Sequence, residues 1–156
     1  MFVLFTLILS APGWAAEPVV EAVSVAPVAV DALTQYDTIR AALAEDRLDA
    51  ARTAASALSA ADSGLAAAAG ALALAADANS ARLAFSDLSK ALVLRLGSTT
   101  PTPKVFAYSC PMWQGFAWWV QPKAGISNPY MGLAMPECGE EKSLKGAVKA
   151  ASGAAG

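Results

Sequence analysis

The residues of this sequence that could perform metal chemistry are concentrated in one stretch, from Cys110 to Gly139. Both cysteines of the chain and three of its four methionines lie there. These five sulfur residues are Cys110, Met112, Met131, Met135 and Cys138. A set of thiolate and thioether ligands is the kind that soft d¹⁰ cations prefer. The stretch therefore predicts a soft-metal site, with Cu(I) as the favoured ion and Ag(I) as the second.

The spacing of the five sulfur residues is compatible with one site. Cys110 and Met112 are two positions apart, and Met131, Met135 and Cys138 follow one another at spacings of four and three. Spacings of three and four place side chains on one face of a turn or short helix. Zinc fits this set less well, because zinc sites are usually built from four Cys, His or carboxylate ligands, and the chain has two cysteines and no histidine.

A structural disulfide between Cys110 and Cys138 is the alternative to a metal site. Two cysteines in a secreted protein more often form a disulfide than a metal site, and methionines beside tryptophans are more often core residues than ligands. A bridge across this loop would stabilise the fold by about 3.5 kcal/mol in the chain-entropy description. The spacing alone leaves both alternatives open.

The absence of histidine excludes several kinds of catalytic site. Ser-His-Asp catalysis, Cys-His catalysis and imidazole-based zinc chemistry all need this residue. The sequence also shows no paired carboxylates, no glycine-rich phosphate loop and no activated serine. We therefore expect a protein that is not an enzyme. Its formal net charge of −2, with no basic cluster, argues against nucleic acid as a partner.

The first part of the chain is typical of an export signal followed by a leader. Residues 1–15 combine a short apolar run with small residues at positions 13 and 15, which predicts a secretory signal peptide cut before Ala16. The run is far shorter than the roughly 20 residues of a spanning helix, and an uncleaved amino-terminal anchor is the alternative. Residues 16–30 contain two prolines and no helical period, which predicts a flexible leader. We expect the mature protein in the periplasm and not integral to the membrane.

Residues 31–142 are expected to form a single, mainly α-helical domain. Leucines and aromatic residues recur in its first part at spacings of three and four, and the alanines between them have high helix propensity. Four helices with short connections most simply form an antiparallel four-helix bundle. The predicted helices cover about residues 32–45, 47–61, 65–77 and 80–96.

The composition changes after the last predicted helix. Residues 104–139 are rich in aromatic, β-branched and proline residues, which predicts a small irregular or β-structured Cys/Met cap. Short strands are expected around residues 105–108 and 116–120. Residues 143–156 are mostly alanine, glycine and lysine, and we expect them to form a disordered tail. The spacing of Lys142, Lys145 and Lys149 leaves a frayed helix before Ser152 as the alternative.

Four short motifs in the cap follow one another in an order that resembles a bacterial family. The family is a periplasmic domain of unknown function that is found alone or at the C-terminus of copper/silver efflux adaptor proteins. The resemblance covers about residues 31–142, and the helical segment Ala81–Leu92 also looks similar. The four motifs are Cys110-Pro111-Met112, Gly115 with Trp118 or Trp119 and Gln121, Ile126-Ser127-Asn128-Pro129-Tyr130-Met131-Gly132, and Met135-Pro136-Glu137-Cys138-Gly139.

The resemblance implies an exported helical bundle with a Cys/Met cap and a role in heavy-metal resistance. Its partner would be a heavy-metal efflux adaptor or another envelope protein. Carried over by position, the candidate ligands are Cys110, Met112, Met135 and Cys138. The chain departs from the family at Ser109, where many relatives have histidine, and at Met131, where an aromatic residue is common. The lost imidazole disfavours Cu(II) and zinc, and the added thioether favours Cu(I).

Overall fold

The alanine-rich half of the chain folds into four consecutive helices, and a small sheet and a further helix follow. The computed structural model describes residues 30–98 and 104–153. The helices within these ranges are α1 (Val30–Ala44), α2 (Leu48–Ala61), α3 (Ala66–Ala73), α4 (Ala78–Gly97) and α5 (Leu144–Ala151). The strands are β1 (Phe106–Ser109), β2 (Trp118–Gln121) and β3 (Glu140–Lys142), and a short 3₁₀ helix covers Gly132–Ala134.

Helices α1 to α4 each pack against the next helix along the chain. Tyr36, Ile39, Leu58 and Leu72 are fully buried between them. Burial of a side chain of this size stabilises a fold by about 1.5–3 kcal/mol, so a few such residues hold the alanine-rich helices together. Alanines on the facing surfaces allow close approach of the helix backbones.

Helix α4 is the longest helix, and it positions the sheet. It begins after Asp77, whose carboxylate caps the helix by accepting a hydrogen bond from the backbone N–H of Ser80 at 2.7 Å. On its buried face, Ser86 Oγ donates to the carbonyl oxygen of Phe116 and Ser89 Oγ to that of Trp118, both at 2.7 Å. These two serines attach the segment around β2 to the helical layer.

The three strands form an antiparallel sheet in the order β2-β1-β3. Tyr108 of β1 lies opposite Trp119 of β2 on one side and opposite Glu141 of β3 on the other. Tyr108, Trp119 and Val120 are buried. The sheet therefore contributes its own aromatic side chains to the core.

The prediction of a four-helix bundle with a small cap is wrong. The described residues form five helices and a three-stranded antiparallel sheet, so the fold is mainly α with a β element. The short apolar runs of β1 and β2 were recognisable from the sequence. Strand β3 was not, because Glu140–Lys142 is an exposed run of charged residues that pairs only through its backbone.

The prediction of a disordered tail from residue 143 is wrong over α5. Ser143 caps this helix by accepting a hydrogen bond from the backbone N–H of Gly146 at 3.0 Å. Ala147 is completely buried, and a Cβ added to Gly97 of α4 would lie 2.7 Å from the methyl groups of Val148. The small residues that suggested disorder instead allow close packing of α5 on α4.

Two other predictions concern residues outside the described ranges. The signal peptide at residues 1–15 and the leader up to residue 29 belong to this part of the chain, and Val30 is the first residue of α1. Among the helices that the structure does describe, none combines the length and the apolar composition that a membrane span requires.

Candidate functional site

The sheet brings the two cysteines of the chain together. Cys110 follows β1, and its backbone N–H donates to the carbonyl oxygen of Ala117 at 2.8 Å. Cys138 precedes β3, and the register that places Ser109 opposite Glu140 brings it to the same end of the sheet. The two sulfur atoms lie 3.8 Å apart and are not bonded to each other. Strand pairing therefore juxtaposes thiols that are 28 positions apart in the sequence.

The side chain of Asn128 fixes the loop that carries Cys138. Asn128 is completely buried, and its Nδ2 donates to the carbonyl oxygen of Cys138 at 2.5 Å. Its Oδ1 accepts hydrogen bonds from the backbone N–H groups of Tyr130 at 2.7 Å and Met131 at 3.1 Å. Its own backbone N–H donates to the carbonyl oxygen of Pro136 at 2.9 Å. One residue thus connects both ends of the segment 128–138, which we call the Met-Cys loop.

An ion pair between α4 and the turn that joins α1 to α2 holds the middle of the Met-Cys loop. Arg82 of α4 pairs with Asp46, and its Nε donates to the carbonyl oxygen of Pro129 at 3.1 Å. The second carboxylate oxygen of Asp46 accepts from the backbone N–H of Leu133 at 3.1 Å. Gly132 lies against both charged groups with φ of 57°, so a Cβ there would collide with the Asp46 carboxylate and the Arg82 guanidinium. The loop is therefore docked on the helices by charge and by a required glycine.

Gly139 closes the space behind Cys138. A Cβ at this position would lie 2.9 Å from a ring carbon of Trp119 and 3.1 Å from the carbonyl oxygen of Ser109. Its φ of 152° is also unfavourable for residues with a side chain. The Cys-Gly pair in the sequence is thus explained by the close approach of the loop to the sheet.

The structure places the three methionines differently with respect to the thiols. Met131 and Met135 belong to the Met-Cys loop; Met131 is half-buried against the core, and the Met135 carbonyl accepts from the Cys138 N–H at 3.2 Å. Met112 is 63% exposed and lines a surface pocket formed with α4. Of the five predicted site residues, Cys110 and Cys138 are in contact, two methionines share the loop of Cys138, and Met112 lies towards α4.

Aromatic rings form one side of the cap. Trp113 stacks on Tyr130 with ring centroids 5.4 Å apart, and Trp119 contacts the edge of Tyr130 at 6.1 Å. Burial raises the pKa of Tyr130 well above its ordinary value, so this phenol is neutral at physiological pH. The indole nitrogen of Trp113 is buried and has no hydrogen-bond partner within the described parts of the chain. These rings therefore belong to the packed interior of the cap.

The electrostatic surroundings of the thiol pair favour the protonated state of Cys138. Burial and the neighbouring Cys110 thiol raise the pKa of Cys138 above its ordinary value. Across residues 30–98 and 104–153, no group of three or more His, Cys, Asp and Glu side chains is placed to hold a metal ion.

Sequence reasoning missed the two charged residues that dock the Met-Cys loop. Asp46 lies between the first two predicted helices, and Arg82 lies within the segment Ala81–Leu92 that the resemblance covers. Neither residue was among the predicted site residues. In the fold, Asp46 has a φ of 56° and lies in the left-handed region, where Asp is one of the tolerated residues. The sequence does not reveal that its carboxylate reaches a loop 87 positions away.

Comparison of the chain with protein-family models, with curated proteins and with solved structures found no match. The resemblance to the domain of copper/silver efflux adaptors thus stays a prediction that rests on the four motifs in the sequence. Any functional conclusion has to come from the chemistry and geometry of the thiol pair and its loop.

Proposed function

We propose that this protein is a non-enzymatic periplasmic binding protein for a soft metal ion, with Cu(I) as the favoured ion and Ag(I) as the second. The observation that carries the proposal is the 3.8 Å separation of the Cys110 and Cys138 sulfur atoms. Thiolate sulfur is the ligand type that such ions prefer. The ion is the cargo of the protein.

The separation of the two sulfur atoms suits joint coordination of one ion. Two thiolates bound at about 2.3 Å to one ion at a tetrahedral angle have their sulfur atoms about 3.8 Å apart. The sulfur atoms of Cys110 and Cys138 have this separation already, so binding requires no rearrangement of their spacing. A preorganised pair of ligands retains more of its binding energy as affinity.

Thioethers would complete the coordination. Met135 and Met131 are the first candidates, because both lie on the loop that Asn128 ties to Cys138. Met135 is 37% exposed, so its side chain is free to reorient on binding. Met112 is the remaining candidate, and its exposed side chain would have to turn from the pocket beside α4.

The protein would sequester the ion or deliver it to a heavy-metal efflux adaptor or another envelope protein. This part of the proposal is supported by the resemblance of the cap motifs and by the predicted signal peptide. Met135, which is 37% exposed and lies on the loop of Cys138, suits transfer between proteins, because a thioether is a soft but weaker ligand than a thiolate.

The second candidate function is that of a disulfide-stapled interaction module of the cell envelope that binds no metal. The nearness of the two sulfur atoms also favours this function, because a small movement would bring them to bonding distance. Leu83 and Met112, which are exposed around one pocket with Trp113, would then form part of the contact surface.

Native mass spectrometry of the reduced protein with Cu(I) under anaerobic conditions tests the proposed function. We expect one ion per chain, with the loss of protons that accompanies thiolate coordination. The matched variants are Cys110→Ser and Cys138→Ser, each of which should abolish the bound ion. Reduced wild-type protein that takes up no Cu(I) would leave the disulfide-stapled module as the better account.

A further inference from the structure

The two thiols of the pair differ in their exposure to solvent. Cys110 is 2% exposed and follows a strand in the middle of the sheet. Cys138 is only partly buried, and it ends a run of exposed residues, 133–137. An oxidant that approaches from solvent therefore meets Cys138 before Cys110.

The backbone around each thiol also differs in its attachment. The backbone N–H of Cys110 donates to the carbonyl oxygen of Ala117, so this bond joins the residue after β1 to the residue before β2. The N–H of Cys138 bonds only within its own loop, to the Met135 carbonyl oxygen at 3.2 Å. Bonding of the two sulfur atoms requires them to approach by a little under 2 Å, since a disulfide is about 2.05 Å long. Rotation of the Cys138 side chain contributes to this approach without loss of the sheet register.

We propose that oxidation closes the metal site, with Cys138 as the thiol that exchanges first with a small-molecule disulfide and Cys110 as the resolving thiol. The consequence for metal binding rests on the proposed function, whereas the order of reaction of the two thiols does not. The oxidant is of the class of low-molecular-weight disulfides, RSSR.

The exchange balances in two steps. Cys138, in the fraction of molecules in which it is ionised, attacks one sulfur of RSSR, so the Cys138–SR bond forms, the S–S bond of the oxidant breaks and one thiolate RS⁻ leaves. Cys110, as its thiolate, then attacks the sulfur of Cys138, forms the Cys110–Cys138 disulfide and displaces a second RS⁻. The two protons of the protein thiols pass to the released thiolates. The protein loses two electrons, and one RSSR is reduced to two RSH.

Closure removes both thiolate ligands at once. The sulfur donors that remain are thioethers, and no cluster of three or more His, Cys, Asp and Glu side chains occurs in the described ranges to replace the thiolates. The oxidised protein is then a poor site for a soft ion, and reduction restores it. Binding of the ion to the reduced pair would in turn protect both sulfur atoms from exchange.

The order of reaction is tested with oxidised glutathione as RSSR and intact-mass analysis. Wild-type protein should lose two hydrogen atoms and retain no glutathione. Cys110→Ser should trap one glutathione on Cys138, and Cys138→Ser should form its adduct at least about tenfold more slowly, as expected for a buried thiol. Equal adduct rates for the two variants, or a wild-type protein that keeps glutathione, would overturn the proposed order.

A measurement on wild-type protein avoids dependence on the folding of the variants. Limited alkylation of the reduced protein with iodoacetamide, followed by peptide mapping, should label Cys138 before Cys110. Preferential labelling of Cys110 would contradict the proposed order of reaction, independently of the adduct masses.

The proposal that oxidation closes the metal site is tested with Ag(I), which does not reduce a disulfide. We expect reduced protein to bind Ag(I) and oxidised protein to bind it at least about a hundredfold more weakly, with recovery after reduction. Equal affinity of the reduced and the oxidised protein for Ag(I) would contradict the proposal that oxidation closes the metal site. Failure of the reduced form to bind Ag(I) or Cu(I) would instead reject the proposed function, while the adduct masses still decide the order of reaction.

Discussion

Asn128 donates a hydrogen bond from its side-chain nitrogen to the carbonyl oxygen of Cys138 at 2.5 Å, while its side-chain oxygen holds the start of the same loop. This residue therefore sets the position of Cys138 relative to the sheet that carries Cys110. It connects the Asn-Pro-Tyr motif of the sequence with the Met-x-x-Cys-Gly motif, which had no evident physical relation before the fold was known.

Replacement of Asn128 by alanine should loosen the Met-Cys loop. Asn128→Ala leaves the Cys138 carbonyl and the N–H groups of Tyr130 and Met131 without their partner, and unsatisfied buried groups cost about 1–3 kcal/mol each. We expect a loss of about 2–3 kcal/mol in the free energy of unfolding, because water entry offsets part of this cost. Urea denaturation monitored by circular dichroism measures the change.

The matched control for this variant is Asn79→Ala on α4. Asn79 is exposed, so its replacement should change the free energy of unfolding by less than about 0.5 kcal/mol. Similar losses in the two variants would show that Asn128 does not hold the loop.

Alanine at Gly132 should be far more disruptive than alanine at another glycine with a positive φ. Gly115 has a φ of 82° and no atom within 4 Å of an added Cβ, so Gly115→Ala reports the backbone strain alone, about 1–2 kcal/mol. Gly132→Ala adds a collision with the ion pair of Asp46 and Arg82. We expect its loss of stability to exceed that of Gly115→Ala by about 2 kcal/mol or more.

Thermal or urea unfolding of these two glycine variants side by side provides the comparison. Equal stability would mean that the Met-Cys loop is not docked against Asp46 and Arg82. Gly115 lies between Cys110 and β2, outside the Met-Cys loop. Metal binding can therefore be compared between a variant with this loop displaced, Gly132→Ala, and a variant with the loop in place, Gly115→Ala.

The methionine ligands are separable by leucine substitutions, which conserve volume but remove the thioether. We expect Met135→Leu or Met131→Leu to weaken Cu(I) binding by about tenfold or more, because these residues share the loop of Cys138. Met112→Leu should change the affinity by less than about threefold, in keeping with its position beside α4. A large effect of Met112→Leu alone would assign the third ligand to the hairpin instead.

All three tyrosines should ionise only at a pH above the ordinary pKa of tyrosine, and their ionisation should accompany unfolding. Burial raises the pKa of Tyr36, Tyr108 and Tyr130 above 10.0. Below about pH 10 the phenols are neutral in both the folded and the unfolded chain, and the full stability is present. As the pH rises further, the unfolded chain ionises first and stability is lost progressively towards the folded-state pKa values.

The measurement is tyrosinate absorbance at alkaline pH recorded in parallel with circular dichroism. Since the chain has three tyrosines and all three are described, no exposed tyrosine obscures the signal. Ionisation of a tyrosine near pH 10 with the fold intact would contradict the burial of that ring.

The local patterns of the sequence predicted those parts of the fold that depend on local physics. The four helices of the alanine-rich half follow from spacing and propensity, and the local pair Asp77 and Ser80 caps α4. Helix α5 was predicted only as a frayed alternative to a disordered tail, because its apolar positions are mostly alanines, such as Ala147 and Ala151, whose burial depends on a partner helix. The exposed strand β3 was missed because strand pairing, rather than side-chain pattern, defines it.

For the candidate site, as for the fold, only the features that depend on local sequence patterns could be predicted. The types and the spacing of its sulfur residues were evident from the sequence. The contact between Cys110 and Cys138 depends on the pairing of β1 with β3, which local patterns do not specify. The docking of the loop by Asp46 and Arg82 depends on contacts between residues 36 positions apart.

The central claim is that Cys110 and Cys138 bind one soft ion jointly, and a Cu(I) titration of the reduced protein against a competing chelator tests it most directly. The account predicts one tightly bound Cu(I) per chain, with a loss of affinity of at least about a hundredfold in both Cys110→Ser and Cys138→Ser. Absence of competition with the chelator by wild-type protein, or equal affinity of the two serine variants and the wild type, would contradict it.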